Sequence, residues 1–342
     1  MPVLYNIQPP PSVYLEQSRI SKLPILLLDI HSQCNCRCVM CDIWKHKNGL
    51  ALHSSDLDRH RESIQALGVK QVVLTGGEPL MNRELDAICQ FFRDMGVRIT
   101  LLTTGRLLLQ KAQIVATYID DVIISIDGPP DIHDRIRCVP GIFTAVQKGI
   151  TAVRTYCPRM PIGCRTTVQK LNHAYLRSTV DAAKVLRLDS ISFLPADISS
   201  GAFNRQEGWT EERRNEIALT HDELHVLEDE IESLIAIHHE DIRTDYIVES
   251  SAKLRRIADR FREYLYSLPP KSPRCNAPWV SAVVDIDGSV RPCFFHAAVS
   301  NLSQLTLQQA INSEAALNFR STLDVANNAT CQRCVCSLNY HQ

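Results

Sequence analysis

Short apolar runs alternate with amphipathic stretches along the first two-thirds of the chain. Six runs are rich in Val, Ile and Leu, which is typical of strands buried on both faces of a parallel sheet. The predicted strands are Ile25–Ile30, Gln71–Thr75, Arg98–Thr103, Asp121–Ile126, Pro161–Val168 and Ser190–Leu194. Between the second and third strands Leu85, Ile88, Cys89 and Phe92 recur at helical spacing, and Gly96 ends that helix. Such alternation predicts an α/β fold with a parallel barrel or partial barrel.

The pattern changes after about residue 200. Charged residues become frequent, and Thr220 followed by Glu223 predicts a capping box at the start of an amphipathic helix. A hairpin is predicted near the end, with strands Val280–Ile286 and Ser289–Phe295 around an Asp-Gly turn. The predicted regions are an N-terminal extension (1–22), a barrel (23–200), a helical linker (201–270) and a small C-terminal domain (271–342).

Composition excludes several classes of protein. Hydrophobic residues make up 45% and charged residues 22% of the 342 positions, as in ordinary soluble globular proteins, and the net charge is −1. This balance favours neither nucleic acid nor an anionic membrane as a partner. The N-terminus has no signal-peptide pattern, and no apolar stretch is long enough to span a bilayer. We therefore expect a cytoplasmic protein.

Thirteen cysteines are unusual for such a protein. In a reducing compartment, cysteines are more often metal ligands, catalysts or small buried hydrophobes than disulfide partners. Nine of them fall in two groups, one within positions 34–41 and the other within positions 275–336. This distribution predicts two metal sites.

The first group has the spacing Cys34-x3-Cys38-x2-Cys41 directly after the first strand. Three thiolates on one loop can bind three irons of a four-iron, four-sulfur cluster and leave the fourth iron open. The alternative is a zinc site, for which Cys36, His31 or His46 would supply the fourth ligand.

Two motifs then resemble the radical S-adenosylmethionine (AdoMet) superfamily. They are Cys34-Asn35-Cys36-Arg37-Cys38-Val39-Met40-Cys41 after the first strand and Thr75-Gly76-Gly77-Glu78-Pro79-Leu80 at the end of the second. The resemblance covers about residues 23–200 and implies a partial (β/α)6 TIM-like barrel. It implies that the Gly-Gly-Glu segment binds the amino group of AdoMet, where Glu78 can pair with an ammonium.

The same resemblance implies further AdoMet contacts. Ser125 and Asp127 lie where relatives contact the ribose, Arg165 where many place an arginine against the carboxylate, and Leu194 where they pack the adenine. Met40 stands where many relatives carry an aromatic residue. The implied AdoMet-binding residues are Met40, Gly76, Gly77, Glu78, Ser125, Asp127, Arg165 and Leu194.

The second cysteine group resembles the auxiliary-cluster domain called SPASM, or its shorter relative, twitch. The five cysteines of the tail, against about seven in a full SPASM domain, favour twitch. The resemblance implies one cluster held by Cys275, Cys293, Cys331 and Cys334, with Cys336 spare. Zinc is the alternative, because four thiolates with a Cys-x2-Cys pair also suit it. A cluster saturated by four thiolates suits electron transfer.

The resemblance implies an oxidoreductase with AdoMet and two [4Fe-4S] clusters, one of them auxiliary. One electron from the first cluster cleaves AdoMet to a 5′-deoxyadenosyl radical, which abstracts hydrogen from the substrate. We expect a small biosynthetic substrate such as a sugar, cyclitol or nucleoside; the alternative is a ribosomally made peptide or protein. Another class would be a non-catalytic iron–sulfur or zinc-binding module. An external one-electron donor such as flavodoxin or ferredoxin is implied.

Cys138 carries a separate hypothesis. It follows the segment Asp127-Gly128-Pro129 and His133-Asp134-Arg135-Ile136-Arg137, in a loop where relatives commonly have glycine at its position. A thiol facing the cavity could return a hydrogen atom to a substrate radical. The alternative is an inert loop cysteine.

Overall fold

The computed structural model describes residues 18–47, 49–205 and 208–340. Most of the predicted N-terminal extension therefore lies outside the described residues. Its last part, Ser18–Lys22, forms no extended helix or strand but docks on the C-terminal region: the Ile20 amide donates to Asn312 Oδ1 (2.8 Å).

Six parallel strands form the barrel wall, and each bound lies within one residue of the sequence prediction. They are β1 (Ile25–His31), β2 (Gln71–Gly76), β3 (Arg98–Thr103), β4 (Asp121–Ser125), β5 (Ile162–Val168) and β6 (Ser190–Pro195). Each strand pairs in parallel with its neighbours in chain order. Their carboxyl ends therefore meet at one edge, where parallel barrels place their sites. The fold is the predicted α/β partial barrel.

Helices cover the outer face of these strands. They are α1 (Ser54–Leu57), α2 (Arg61–Ala66), α3 (Leu85–Arg93), α4 (Leu108–Tyr118), α5 (Pro130–Arg137), α6 (Ile142–Tyr156) and α7 (Leu176–Val185). The apolar stripe predicted from the sequence is the buried face of α3, and Gly96 takes a positive φ of 69° just beyond that helix.

Four helices follow the barrel: α8 (Glu211–Asn215), α9 (His221–Ile237), α10 (His239–Arg243) and α11 (Ser251–Leu265). The predicted capping box is present at the start of α9, where Thr220 and Glu223 bond reciprocally. Helix α9 packs on α7, and α11 packs on α9 and β6. These helices therefore cover the open side of the barrel, and the division of the chain at residues 200/201 remains a proposal.

The C-terminal part begins with α12 (Ala277–Val280) and a hairpin at the predicted place, β7 (Ser281–Val284) and β8 (Ser289–Arg291), whose strands are shorter than the predicted Val280–Ile286 and Ser289–Phe295. It continues with β9 (Ser300–Asn301), α13 (Leu307–Ile311), α14 (Glu314–Thr322) and α15 (Ala329–Gln332). Strand β7 pairs in parallel with β1, so that one sheet runs in the order β6-β5-β4-β3-β2-β1-β7-β8-β9. The hairpin thus extends the barrel sheet beyond β1.

Candidate functional site

The loop after β1 carries Cys34, Cys38 and Cys41 to the carboxyl edge of the sheet. Its backbone is anchored to the end of α5, because the Val39 amide donates to the Ile136 carbonyl (3.0 Å). Hydrogen bonds of this kind hold in place a loop that would otherwise lack a regular backbone partner. The three cysteines are therefore presented on an ordered turn.

The thiols of this loop differ in their electrostatics. A hydrogen bond with Cys36 and the charge of Arg137 lower the pKa of Cys38 to about 6, against the opposing effect of burial. Burial raises the pKa of Cys41 to about 12, and hydrogen bonds to Cys34 and Cys38 raise that of Cys36 above its usual range. Because the thiolate is the metal-binding form, Cys38 is better prepared to bind iron than Cys41.

Arg137, at the end of α5, lies under the cysteine loop. Its Nη1 donates to Cys38 Sγ (3.3 Å), and its Nη2 pairs with Asp127 Oδ2 (2.6 Å). Burial alone would lower the pKa of Arg137, but Asp127 and Cys38 raise it, so the guanidinium keeps its charge. Asp127 also accepts from the Thr167 amide (3.0 Å). The Asp127 carboxylate is thus bonded to two groups of the protein interior. A contact of Asp127 with AdoMet remains a prediction.

Gly76 and Gly77 allow two loops to approach each other closely. A Cβ on Gly76, whose φ is 121°, would lie 2.6 Å from the His31 carbonyl oxygen, and one on Gly77 would lie 2.1 Å from that of Gln33. The Gly77 amide donates to the His31 carbonyl (2.7 Å) and the Glu78 amide to that of Gln33 (2.8 Å). The glycines are therefore required where the Gly-Gly-Glu segment packs on the cysteine loop, a reason the sequence did not reveal.

The Glu78 carboxylate is completely buried and surrounded by donors. It accepts hydrogen bonds from Thr103 Oγ1 (2.7 Å), Thr104 Oγ1 (2.6 Å), the Thr104 amide (2.8 Å) and the Leu80 amide (3.1 Å). Burial raises the pKa of Glu78, and these four bonds oppose the shift. Glu78 thus joins the ends of β2 and β3, because Thr103 and Thr104 at the end of β3 donate to its carboxylate. Its predicted pairing with the AdoMet ammonium remains a prediction.

Ser125 and Arg165 stand side by side on the sheet. Arg165 pairs in register with Ser125 of β4 and with Ser192 of β6, and its Nε donates to Ser192 Oγ (3.4 Å). Leu194 lies two residues farther along β6 and therefore shares the face of Ser192. The Arg165 side chain is exposed. Three of the predicted AdoMet contacts thus share one face of neighbouring strands.

Met40 is buried, and its carbonyl accepts from Arg205 Nη2 (3.2 Å). Arg205 also donates to the Asp197 carbonyl (2.7 Å) and stacks on Trp209, with its Cζ 3.8 Å from the ring centroid. Trp209 in turn donates to Asp42 Oδ2 (2.7 Å). The segment after β6 therefore holds the C-terminal end of the cysteine loop through hydrogen bonds to Met40 and Asp42. Sequence reasoning missed Arg205, because no local signature distinguishes it from a surface arginine.

Cys138 ends α5 in the left-handed conformation, with φ 53°. Glycine adopts this conformation readily, which accounts for its occurrence here in the relatives implied by the sequence. The residue is exposed overall. Partial desolvation of its thiol, together with the charge of Cys38, raises its pKa. Its role as a hydrogen donor remains a prediction.

The second cysteine group converges in the C-terminal part. Cys275, Cys293, Cys331 and Cys334 line one small apolar cavity together with His296, whose Nε2 lies 3.4 Å from Cys331 Sγ. Burial raises the pKa of Cys331 to about 12. The structure thus brings together all four of the predicted ligands.

Cys336 does not line this cavity; its carbonyl accepts from Cys334 Sγ (2.7 Å). Across residues 18–47, 49–205 and 208–340, no three His, Cys, Asp or Glu side chains converge on a point where one metal ion would be held. The ligand sets remain predictions.

Two parts of the chain match known protein families. The family described as "Radical SAM superfamily" matches residues 29–182, and the family described as "Iron-sulfur cluster-binding domain", SPASM, matches residues 275–335. The chain is a radical SAM protein with a C-terminal SPASM domain. Its cofactors are AdoMet and iron–sulfur clusters, as the sequence predicted, and the expectation of an enzyme is supported by the family.

Curated relatives of this radical SAM protein differ in how much of the chain they match. An AdoMet-dependent heme synthase of Methanosarcina barkeri is 28% identical over 167 residues, 47% of each chain. The PqqA peptide cyclase of Ruegeria pomeroyi is 26% identical over 330 residues, which cover 90% of this chain and 79% of the cyclase. The chain spans about half the length of the first curated relatives that it matches, 40–47%.

Solved structures share the fold over both domains. SuiB of Streptococcus suis, bound to the precursor peptide SuiA, superposes with a TM-score of 0.65 at 14% identity over 95% of this chain and 74% of SuiB. The structure of native anSMEcpe with bound AdoMet superposes with a TM-score of 0.63 at 17% identity over 86% of this chain and 83% of anSMEcpe. In the part of the chain that the structure describes, no helix is long and apolar enough to cross a membrane.

The radical SAM site has features that fit its cofactors. The Cys38 thiol faces the Arg137 guanidinium, and a neighbouring cation favours the thiolate form that binds iron. Polar side-chain atoms without a protein partner are buried in segments that follow the strands, among them Asn35 Nδ2 on the cysteine loop after β1 and both amide atoms of Gln169 just after β5. Buried polar atoms need partners, and a polar ligand at the carboxyl edge of the strands would supply them.

Asp29 is a second group that the sequence did not reveal. It lies on β1 beside the SPASM hairpin, and its Oδ1 is buried without a hydrogen-bond partner. Burial, together with the nearby charges of Asp285 and Asp287, raises the pKa of Asp29 to about 7, although Arg291 opposes the shift. A carboxyl group with this pKa can accept or release a proton near neutral pH.

Proposed function

We propose that this radical SAM enzyme modifies a peptide or a protein. The observation that carries the proposal is the similarity to PqqA peptide cyclase, which extends over 90% of this chain and 79% of the cyclase. The fold of peptide-bound SuiB over 95% of this chain supports it. The sequence-based preference for a sugar, cyclitol or nucleoside has less support than its peptide alternative, because a relative that matches 90% of the chain is a peptide cyclase.

The chain's own residues would hold the first cluster and fix the loop that carries it. Cys34, Cys38 and Cys41 would hold the first cluster, with Arg137 compensating the charge of the Cys38 thiolate. Glu78 would keep the Gly-Gly-Glu backbone fixed against the cysteine loop. When bound, AdoMet and this cluster supply the one-electron reduction and the hydrogen-atom abstraction.

The row formed by Ser125, Arg165 and Leu194 would hold AdoMet itself. The exposed Arg165 guanidinium offers a planar fork that suits a carboxylate. Leu194 offers an apolar surface on the same face. The barrel would thus orient the cofactor and exclude water from its reacting end.

The SPASM domain would pass electrons. Cys275, Cys293, Cys331 and Cys334 around one cavity would saturate an auxiliary [4Fe-4S] cluster and leave no iron for substrate. Asp29, between this domain and the barrel, could take the proton that leaves with an electron during a net oxidation. An external one-electron donor such as flavodoxin or ferredoxin would reduce the enzyme.

The test is an untargeted comparison of peptides and small metabolites, made anaerobically in host cells with the enzyme and in cells with a Cys34→Ala, Cys38→Ala, Cys41→Ala variant. We expect a peptide whose mass changes only with the active enzyme and which stimulates AdoMet cleavage by the purified protein. Changes confined to small metabolites would overturn the proposal, and absence of AdoMet cleavage would indicate a non-catalytic binding module.

A further inference from the structure

A cavity of about 360 Å³ lies beside the SPASM domain and is used by none of the roles above. Its walls come from the segment after β6, from α8 and α11, and from the stretch between α15 and the chain end. Among the lining residues are Ile198, Arg214, Phe261, Leu268, Arg333 and Val335. The size is that of a small ligand site, and the mixture of apolar walls with a few charged groups is typical of one.

The carboxylates of this cavity already have partners. Asp197 accepts from Arg205 Nη1 (3.4 Å) and from the serine turn that follows it. Glu263 accepts from Arg260 Nη1 (2.8 Å) and from the Lys271 amide (3.1 Å). Arg260 is itself tied to the Cys334 carbonyl (2.9 Å). These groups therefore offer little to a ligand.

Arg214 and Arg333 differ from them. Within residues 18–47, 49–205 and 208–340, neither guanidinium has a hydrogen bond or an ion pair; Arg214 Nε is buried without a hydrogen-bond partner, whereas Arg333 is exposed at the mouth of the cavity. A buried guanidinium N–H without an acceptor is costly, and an anion would relieve that cost. The cavity therefore has two cations available for a negatively charged ligand.

The position of the cavity relates it to both cysteine sites. Arg333 and Val335 flank Cys334, a predicted ligand of the auxiliary cluster. On the opposite side Asp197 contacts Arg205, which holds the Met40 carbonyl of the first cysteine loop. A ligand in this cavity would thus lie between the two metal sites.

We propose that the cavity binds the carboxylate of an acidic side chain, Asp or Glu, in the peptide substrate; the peptide part rests on the proposed function. A guanidinium binds a carboxylate through two parallel hydrogen bonds, and Phe261, Ile198 and Leu268 suit the methylene groups of such a side chain. The cavity accommodates one side chain with its adjoining backbone rather than a whole peptide.

The test measures binding of three probes to the reconstituted full-length enzyme by ligand-detected NMR. They are the N-acetylated, C-amidated tripeptides Gly-Glu-Gly and Gly-Gln-Gly, and glutarate. The variants are Arg214→Gln and Arg333→Gln, and the matched control is Arg159→Gln, an exposed arginine that precedes β5 at the opposite end of the barrel. Iron content and circular dichroism verify that each variant is folded and loaded.

We expect the glutamate peptide to bind about 10-fold more tightly than the glutamine peptide, because one charge-assisted pair distinguishes them. Arg214→Gln and Arg333→Gln should abolish that preference, and Arg159→Gln should keep it. Equal affinity for both peptides, combined with arginine-dependent binding of glutarate, would retain the carboxylate site and overturn its peptide occupant. No arginine-dependent binding of any probe would overturn the site, whereas the peptide-modifying function is tested separately by AdoMet cleavage.

Discussion

The two cysteine sites of this protein are built from the same residue type and differ at one thiol: burial raises the pKa of Cys41 in the first site as it does that of Cys331 in the second, but Cys38 has a cation beside it. Around Cys38 the protein places Arg137, and the pKa of that thiol falls to about 6. Around Cys331 it places mostly apolar residues together with His296, and burial raises the pKa of the thiol to about 12. The first site therefore has a charged support within the folded protein, whereas the second depends on its metal to stabilise thiolates.

This difference corresponds to different tasks. A three-cysteine site must hold its cluster firmly while one iron stays available to AdoMet, and a fixed cation beneath one thiolate serves that purpose. A four-cysteine site in an apolar pocket has no open iron and limits solvent access, which suits electron transfer. The predictions below test whether the two sites are separable in this way.

The largest effect is expected from replacing Cys34, Cys38 and Cys41 together by Ala. AdoMet cleavage should be lost completely, and about half of the iron should remain because the auxiliary cluster is independent. Iron analysis and 5′-deoxyadenosine formation measure both. The matched control is Cys36→Ala, which should keep both clusters. Cleavage by the triple variant would refute the assignment of this loop.

Replacing Cys275 and Cys293 by Ala should have the converse effect. About half of the iron should be lost, part of the AdoMet cleavage should remain, and completed product should not form, because the electron has no path out. Circular dichroism checks the fold, since these cysteines bracket the hairpin. Normal product formation would mean that the SPASM domain is structural only, and zinc in the purified protein would exclude an electron-transfer role.

Arg137→Met should destabilise the protein by about 3–5 kcal/mol, because it leaves the buried Asp127 carboxylate without its partner. Adding Asp127→Asn should restore part of this loss, since the pair is coupled. Urea unfolding of the single and double variants measures the free energies. Additive losses would show that the two side chains act independently.

Glu78→Gln should lower the free energy of unfolding by about 1–3 kcal/mol, because the new amide N–H₂ faces groups that already donate. If Glu78 also contacts AdoMet, affinity for AdoMet should fall more than iron content does. Isothermal titration and iron analysis separate these effects. Unchanged AdoMet affinity with reduced stability would restrict Glu78 to joining β2 and β3.

A pH-dependent effect is expected at the junction of the two domains. The folded-state pKa of Asp29, about 7, lies above its ordinary value of 3.8, so folding favours the protonated form and loses that advantage as pH rises through 7. Asp29→Asn should therefore stabilise the protein more at pH 8 than at pH 5. Melting temperatures at the two pH values measure this. An equal change at both would show that the carboxyl is already ionised below pH 5.

Local patterns in the sequence were sufficient for the strands, the helix α3 with its glycine stop, the capping box of α9 and the hairpin. Each depends on periodicity or turn chemistry among residues close together in the chain. The family motifs were likewise sufficient to predict the two domains and the cofactors. The spacing of cysteines on a single loop can be read from the sequence before the fold is known.

Only the tertiary structure decided which groups support these motifs. Arg137 reaches Cys38 across 99 positions of sequence, and Glu78 meets Thr104 across 26. The pairing of β7 with β1 likewise joins strands from opposite ends of the chain. Such contacts form because buried polar groups need hydrogen-bond partners when the elements pack together. The residues next to a side chain in the sequence do not determine which distant group becomes its partner.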